Sequence, residues 1–169
     1  MNHDEKYFTK IMGRNSSPFP NDHEEAIELL KQLNFDIIPE IYKYNDEEYT
    51  CQYIHGVPLE QYMSHKGTPE FGVHVMDTVF NFLIECTKVE RYGRYFCADD
   101  IHPSNLIVDG NGQIWVIDFD QFGFYEKTEV FTHCLGKSMQ RIGMSITTNL
   151  MWQKQRKLEE EIRELKCGG

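Results

Sequence analysis

The chain has 169 residues, of which 40% are hydrophobic and 13% aromatic, so it is long enough and apolar enough to bury one core. Its 17 basic and 27 acidic side chains give a formal net charge of −10, which opposes binding to nucleic acid or anionic lipid. No run of about 18 apolar residues occurs, and the charged N-terminus lacks the apolar centre of a signal peptide. We therefore expect a cytoplasmic protein that neither binds nucleic acid nor spans a membrane.

The first third of the chain predicts a small group of mixed elements. Aromatic and β-branched residues indicate strands, Gly, Ser and Pro indicate a loop, and acidic residues in a positive first turn indicate a helix start. The expected elements are a strand over 6–12, a loop over 13–21, a helix from an N-cap at Asn21 or Asp22 to Asn34, and a hairpin with strands 41–44 and 49–54 around a turn at 45–48.

The remainder predicts helices on either side of a second hairpin. An Asn-Gly pair favours the positive φ angles of a tight turn, and apolar residues repeat at helical spacing before and after it. The expected elements are helices over 59–65 and 70–89, a polar loop over 97–105, a hairpin around a turn at 109–112, and a helical C-terminal third.

The last helix carries one apolar seam, formed by Met151, Leu158, Ile162 and Leu165. Fewer than three heptads is short for a coiled coil, so docking of this helix on its own domain is favoured over dimerisation. We therefore expect a monomer, or a weak dimer through the C-terminal helix.

The residues that suggest chemistry surround the second hairpin. Asp100 and Asn105 precede it, and Asp118 and Asp120 follow it, so their oxygen atoms can face one site. Phosphoryl transfer uses such a set, with a carboxylate to orient the attacking hydroxyl and oxygen ligands to hold Mg²⁺. The alternative is that each residue only caps a turn or lies in solvent. The apolar residues on both sides of Asp118 favour a cation nearby, because an unpaired buried carboxylate is costly.

Three segments of the sequence resemble the aminoglycoside phosphotransferase and choline kinase branch of the protein-kinase-like superfamily. They are the D-x-H-P-x-N motif over 100–105, the I-D-F-D run over 117–120 and a hinge-like segment over 52–59. The resemblance covers roughly residues 6–135. It implies an α+β, protein-kinase-like fold with a reduced N-lobe over 1–54 and a mostly helical C-lobe over 55–169.

The same resemblance implies an ATP- and Mg²⁺-dependent phosphotransferase that acts on a hydroxyl group. It implies that Asp100 is the catalytic base and that Asn105 and Asp118 are Mg²⁺ ligands, with Asp120 as an additional or supporting ligand. The backbone of Gln52, Tyr53 and Ile54 would contact adenine. Lys10 would contact the phosphates and pair with Glu25, or else with Glu24 or Glu28. The alternative for Lys10 is a solvated surface lysine. The acidic site favours a cationic acceptor, either a small molecule or a basic protein segment.

The chain also departs from this family. No G-x-G-x-x-G occurs, and only nine residues precede Lys10, so the usual glycine-rich lid over the phosphates is missing. A plain surface loop is favoured over an anion-binding cover for the segment that carries Arg14, Ser16 and Ser17. The alternative to an enzyme is therefore a catalytically silent kinase-like module that binds nucleotide or a partner protein.

Overall fold

The computed structural model describes residues 6–11 and 23–167. The predicted loop over 13–21, with Arg14, Ser16 and Ser17, and the predicted N-caps Asn21 and Asp22 lie outside the described residues, as does Met12. The elements in chain order are β1 (Tyr7–Ile11), α1 (His23–Leu33), β2 (Ile41–Tyr44), β3 (Glu48–Gln52), β4 (Gly56–Pro58), α2 (Leu59–His65), α3 (Pro69–Thr87), β5 (Glu90–Arg91), β6 (Arg94–Ala98), a 3₁₀ turn (Pro103–Asn105), β7 (Leu106–Asp109), β8 (Ile114–Val116), β9 (Phe122–Tyr125), α4 (Lys127–Glu129), a π-helical segment (Val130–Lys137) and α5 (Ser138–Cys167).

The described strands form three small antiparallel sheets, in the orders β1-β3-β2, β4-β7-β8 and β5-β6-β9. Both predicted hairpins are confirmed. In the first, the side chain of Asn45 accepts from the backbone N–H groups of Glu47 and Glu48 and so closes the turn. In the second, Asp109 performs the same function for Asn111 and Gln113, and Gly112 adopts a φ of 82°.

The third sheet was not predicted. Its first two strands are short and rich in charged and aromatic residues, with Arg91 opposite Arg94, so they lack the alternation that identifies a half-buried strand. β9 is buried along its whole length, and its four residues are too few for periodicity to identify it. This sheet positions the site because β6 leads directly into the loop that begins at Asp99.

The core lies between α3, α5 and the sheets. α3 begins where the hydroxyl oxygen of Thr68 accepts from the N–H of Phe71, with Pro69 at its first position. Its buried stripe is Val75, Val79, Phe82, Leu83 and Cys86, and α5 adds Ile142 and Ile146. No helix among the described residues has both the length and the apolar character that crossing a bilayer requires.

The C-terminal seam is helical as expected, but it does not dock on the domain. Met151, Leu158, Ile162 and Leu165 are between 48% and 79% exposed. The face of α5 that meets the domain instead carries Ile142, Ile146 and Asn149. The prediction of docking is therefore wrong, because periodicity identifies an apolar face of a helix and not the surface that covers it.

Candidate active site

A short loop between β6 and β7 presents Asp100. The carboxylate of Asp99 accepts from the N–H of Asp100 at 2.7 Å, and the side-chain amide of Asn105 donates to the carbonyl of Asp100 at 3.1 Å. Asp100 has a φ of 59°, in the left-handed region that Asp and Asn tolerate better than most residues. These bonds hold its carboxylate at the surface, where the side chain is 45% exposed.

Asp118 and Asp120 follow β8 and point to one place. Asp118 has a φ of 67°, and the N–H of Ile117 donates to the carbonyl of Asn105 at 2.9 Å, which ties this segment to the loop of Asp100. Between the two aspartates, Phe119 is buried, and its N–H donates to the hydroxyl oxygen of Tyr49 at 3.2 Å. The alternation therefore buries Phe119 and leaves both carboxylates on the same side.

Lys10 joins the two carboxylates. Its ammonium lies 3.1 Å from Asp118 Oδ2 and 3.5 Å from Asp120 Oδ2. Burial lowers the pKa of Lys10, but the hydrogen bond and charge of Asp118, and then the charge of Asp120, outweigh burial and raise this pKa overall. Burial and the neighbouring Asp118 raise the pKa of Asp120, and Lys10 opposes them. Lys10 is thus not the solvated surface lysine that the sequence left as an alternative.

The predicted ion pair between Lys10 and Glu25 is wrong. Glu25 accepts a hydrogen bond from Arg91 of β5 instead. α1 packs against β9, and Glu25 in its first turn contacts Arg91 of the β5–β6–β9 sheet. Glu25 lies apart from the other predicted nucleotide-binding residues for this reason.

A cavity of about 250 Å³ lies beside these carboxylates. Its walls include six of the nine residues that the sequence singled out, namely Lys10, Gln52, Tyr53, Ile54, Asn105 and Asp118. Phe8, Tyr49, Cys51 and Ile107 supply apolar and aromatic surface, and burial raises the pKa of the Cys51 thiol to about 11. Glu25, Asp100 and Asp120 are not part of the wall.

Some backbone N–H groups of the predicted hinge, residues 52–54, already make hydrogen bonds within the protein. The N–H of Gln52 donates to Glu40 at 2.8 Å, and the N–H of Tyr53 donates to Lys6 at 3.3 Å. Within the described residues, Ile54 makes no backbone hydrogen bond. Of the three predicted hinge positions, Ile54 is therefore the one whose N–H makes no backbone hydrogen bond in the described part of the chain.

Residues 21–141 match the model of a protein family described as the ABC1 atypical kinase-like domain. This match spans well over half of the chain. The chain belongs to the ABC1 atypical kinase-like domain family. This match confirms the protein-kinase-like superfamily that the motifs implied, and the chain represents its ABC1 family.

Two solved structures of APH(2")-IIa have a fold similar to this ABC1 domain. The streptomycin–ATP–APH(2")-IIa ternary complex is 17% identical, with a TM-score of 0.53 over 93% of this chain and 77% of the other. The gentamicin–APH(2")-IIa complex is 16% identical, with a TM-score of 0.56 over 93% of this chain and 76% of the other. A search of curated protein sequences gives no match. These likenesses establish an α+β, kinase-like fold.

The carboxylates of the ABC1 domain fit a hard divalent cation. Asp118 Oδ1 and Asp120 Oδ1 are buried and have no hydrogen-bond partner among the described residues. Oxygen atoms of this kind suit Mg²⁺, which usually combines one or two carboxylates with water and substrate phosphates. The described part of the chain contains no cluster of three or more His, Cys, Asp or Glu side chains that would bind a metal alone. The site therefore suits a cation that arrives with a phosphate ligand.

Sequence reasoning missed Arg141. Its guanidinium lies 3.0 Å from Asp100 Oδ1, and Nε2 of His102 lies 3.8 Å from Asp100 Oδ2. Arg141 belongs to α5, 41 residues further along the chain, so no local motif could have identified it. His102 was part of the motif but received no role.

Proposed function

We propose that this ABC1 domain is an ATP- and Mg²⁺-dependent phosphotransferase that moves the γ-phosphate to a hydroxyl acceptor. The observation that carries the proposal is the position of Lys10 and Asp118 at the cavity wall, beside two buried carboxylate oxygens that have no partner within residues 6–11 and 23–167. Structural carboxylates at a strand end would be solvated or fully bonded. Here one oxygen of each carboxylate is instead buried and has no partner among the described residues, so it is available to a cation.

The cavity would hold the adenine, and Ile54 would supply the backbone contacts to its edge. Apolar and aromatic walls around a few polar groups are typical of such pockets. Lys10 would lie where the phosphates meet the carboxylates, because it lines the cavity and also contacts Asp118 and Asp120. The free-state ion pairs would give way to contacts with phosphate oxygens.

Asn105, Asp118 and Asp120 would hold the metal. When bound, Mg²⁺ neutralises phosphate charge that develops as the phosphoryl group leaves. The side-chain oxygen of Asn105 has no partner among the described residues, since its amide nitrogen makes the bond to Asp100. This amide therefore links the metal ligands to the loop of the base.

Asp100 would accept the proton of the acceptor hydroxyl. Arg141 engages Oδ1, and Oδ2, which lies 3.8 Å from Nε2 of His102, would be the oxygen that meets the hydroxyl. Arg141 and Lys10 also offset two of the four negative charges contributed by Asp99, Asp100, Asp118 and Asp120. The electrostatic preference for a cationic acceptor is weaker than the sequence alone indicated, and the proposal names the acceptor only as a hydroxyl, on a small molecule or a protein.

The test compares Asp100→Asn with Asp99→Asn, which removes the same charge one residue away and keeps an oxygen that accepts from the N–H of residue 100. ADP formation from ATP and phosphorylation of the acceptor are measured with a panel of hydroxyl compounds, cationic and neutral. Loss of a general base slows transfer by about 10²- to 10⁴-fold, whereas Asp99→Asn should change the rate by only a few fold. ATP and Mg²⁺ binding, followed by thermal shift, should be preserved in both variants.

A catalytically silent module is the second candidate, and one observation favours it. Asp100 is ion-paired with Arg141, and Lys10 bridges Asp118 and Asp120, so these charged groups are satisfied in part without any ligand. If the domain is a silent module, the native chain binds ATP and Mg²⁺ but turns over no ATP with any acceptor. Equal turnover by the native chain and the Asp100→Asn variant would contradict the assignment of Asp100 as the catalytic base.

A further inference from the structure

α5 has two faces, and one of them has no partner in the described structure. The domain-facing side runs through Ile142, Ile146 and Asn149, which are buried. It ends with two polar contacts, in which Gln153 donates to the carbonyl of Gly67 at 3.0 Å and Arg156 donates to the carbonyl of Ser64. The spacing alternates between four and three residues, so this face is a continuous stripe down to position 156.

The helix continues beyond Arg156, the last of its residues with a described hydrogen bond to the domain. Residues 157–167 are helical and exposed at every position. Eleven helical residues extend about 16 Å. An isolated helix of this length is marginal in water, and most helical stability in proteins comes from packing of an apolar face. The projecting end therefore needs a partner to be stable.

The opposite side of α5 carries a longer apolar row. Met144, Met151, Leu158 and Leu165 are spaced by seven residues, and Ile162 lies four residues after Leu158. We call these five residues the outward seam. All are exposed, by 63%, 66%, 48%, 79% and 50% respectively. A seven-residue repeat is typical of a left-handed coiled coil, with the row at d and Ile162 at a, while the other two a positions hold the polar residues Thr148 and Gln155.

The charges beside the outward seam identify its partner. With the apolar row at d, Lys154 and Glu161 occupy g positions, and Glu159 and Lys166 occupy e positions. In a parallel, in-register pair each g residue faces the e residue five positions later on the partner helix. Lys154 then meets Glu159, and Glu161 meets Lys166, so both pairs are attractive and each occurs twice. Residues 151–167 contain five basic and four acidic side chains, so positive and negative charges nearly cancel. This charge balance does not favour binding to an anionic lipid surface.

We propose that the outward seam binds a second copy of this chain in a parallel, two-stranded coiled coil. The two domains lie on opposite outer sides of the pair, because Ile146 and Gln153 occupy f positions and Asn149 and Arg156 occupy b positions. The helices meet through less than four heptads, so the dimer dissociates on dilution. This proposal does not depend on catalysis.

The experiment measures the mass of the full chain by analytical ultracentrifugation over a range of concentrations. The native chain is expected to shift from monomer to dimer as the concentration rises, and Leu158→Glu is expected to stay monomeric. Circular dichroism and thermal midpoints check that the variants fold, which exposed positions should allow. A native chain that stays monomeric up to millimolar concentration overturns the proposal, whether or not it binds lipid vesicles.

Charge exchange tests the orientation. Lys154→Glu or Glu159→Lys alone should weaken association about tenfold, because two attractive pairs become repulsive, and the double variant should restore it. The matched control is Glu160→Lys, which makes the same change at an f position and should leave the dimer intact. A double variant as weak as either single variant would overturn the parallel register.

Cys167 offers an independent measurement. It is exposed, and the other four cysteines are buried, so a spin label can be attached there without substitution. In the parallel dimer the two labels lie at the same height along the axis. In an antiparallel pair centred on Leu158 they would be about 27 Å apart along the axis. Labels separated along the axis in this way would contradict the proposal.

Discussion

Replacement of Lys10 by Met tests whether the two carboxylates beside it form a cation site. The ammonium of Lys10 is the cation that contacts both Asp118 and Asp120 in the described structure, and the side chains are 30%, 33% and 17% exposed. An exposed ion pair contributes about 0.2–1 kcal/mol, whereas removing one partner of a buried pair costs about 3–5 kcal/mol. For a partly exposed triad we expect Lys10→Met to lower the free energy of unfolding by about 2 kcal/mol.

The matched control is Lys43→Met on β2, which belongs to the same sheet as β1 and is separated from it by β3. Lys43 lies 3.4 Å from Glu48, but its side chain is 70% exposed, so its loss should cost about 0.5 kcal/mol or less. Urea denaturation at neutral pH measures both variants, since a neutral denaturant does not screen the charges. Mg²⁺ alone should then stabilise Lys10→Met more than it stabilises the native chain, because the carboxylates no longer have a competing cation.

The pH dependence follows from the raised pKa of Lys10. A lysine whose pKa is higher in the folded state contributes stability that is fully present below its ordinary pKa of 10.5 and is lost as the pH rises through the folded pKa. The native chain and Lys10→Met should therefore converge in stability at strongly alkaline pH. If the two proteins are equally stable at neutral pH, or if Mg²⁺ shifts both alike, Lys10 does not neutralise a cation site.

Three further predictions concern the same site. Asp120→Asn should raise the stability of the ligand-free chain at neutral pH and abolish its stabilisation by Mg²⁺. Burial raises the pKa of Asp120 in the folded state, so stability is lost as the pH rises from the unfolded pKa through the folded pKa and the carboxyl group ionises. A variant that is less stable than the native chain in urea would contradict this. Tyr49→Phe should cost about 1–3 kcal/mol, because the buried N–H of Phe119 loses its acceptor, and unchanged urea midpoints would refute that bond. Arg141→Ala should lower kcat with little change in KM, and Arg141→Lys should restore part of the rate, because Arg141 orients Asp100; a change in KM alone would assign Arg141 to acceptor binding instead.

The sequence predicted the parts of the site that are adjacent in the chain. Asp100 and Asn105 lie in one short motif, and Asp118 follows a hairpin whose turn is marked by Asn-Gly, so their proximity follows from local geometry. The kinase-like fold followed from the same motifs. Their chemical roles stay predictions.

The contacts that the sequence could not predict join distant segments. Lys10 and Asp118 are 108 residues apart, Tyr49 and Phe119 are 70 apart, and Arg141 and Asp100 are 41 apart. Such pairs depend on how helices and sheets pack, which propensity and periodicity do not encode. The pairing of Glu25 failed for this reason, since helix spacing shows which face of α1 is acidic and not which sheet that face meets.

The left-handed backbone at Asp100 and Asp118 has an evolutionary consequence. A non-glycine residue in this conformation costs roughly 1 kcal/mol or more, which glycine avoids. Glycine at either position would therefore remove a carboxylate and relax the main chain in a single step, and this relaxation would offset part of the lost ion pair with Lys10 or Arg141. Among related sequences, aspartate retained at both positions despite this strain would support the proposed chemistry, and glycine at either one would argue against it.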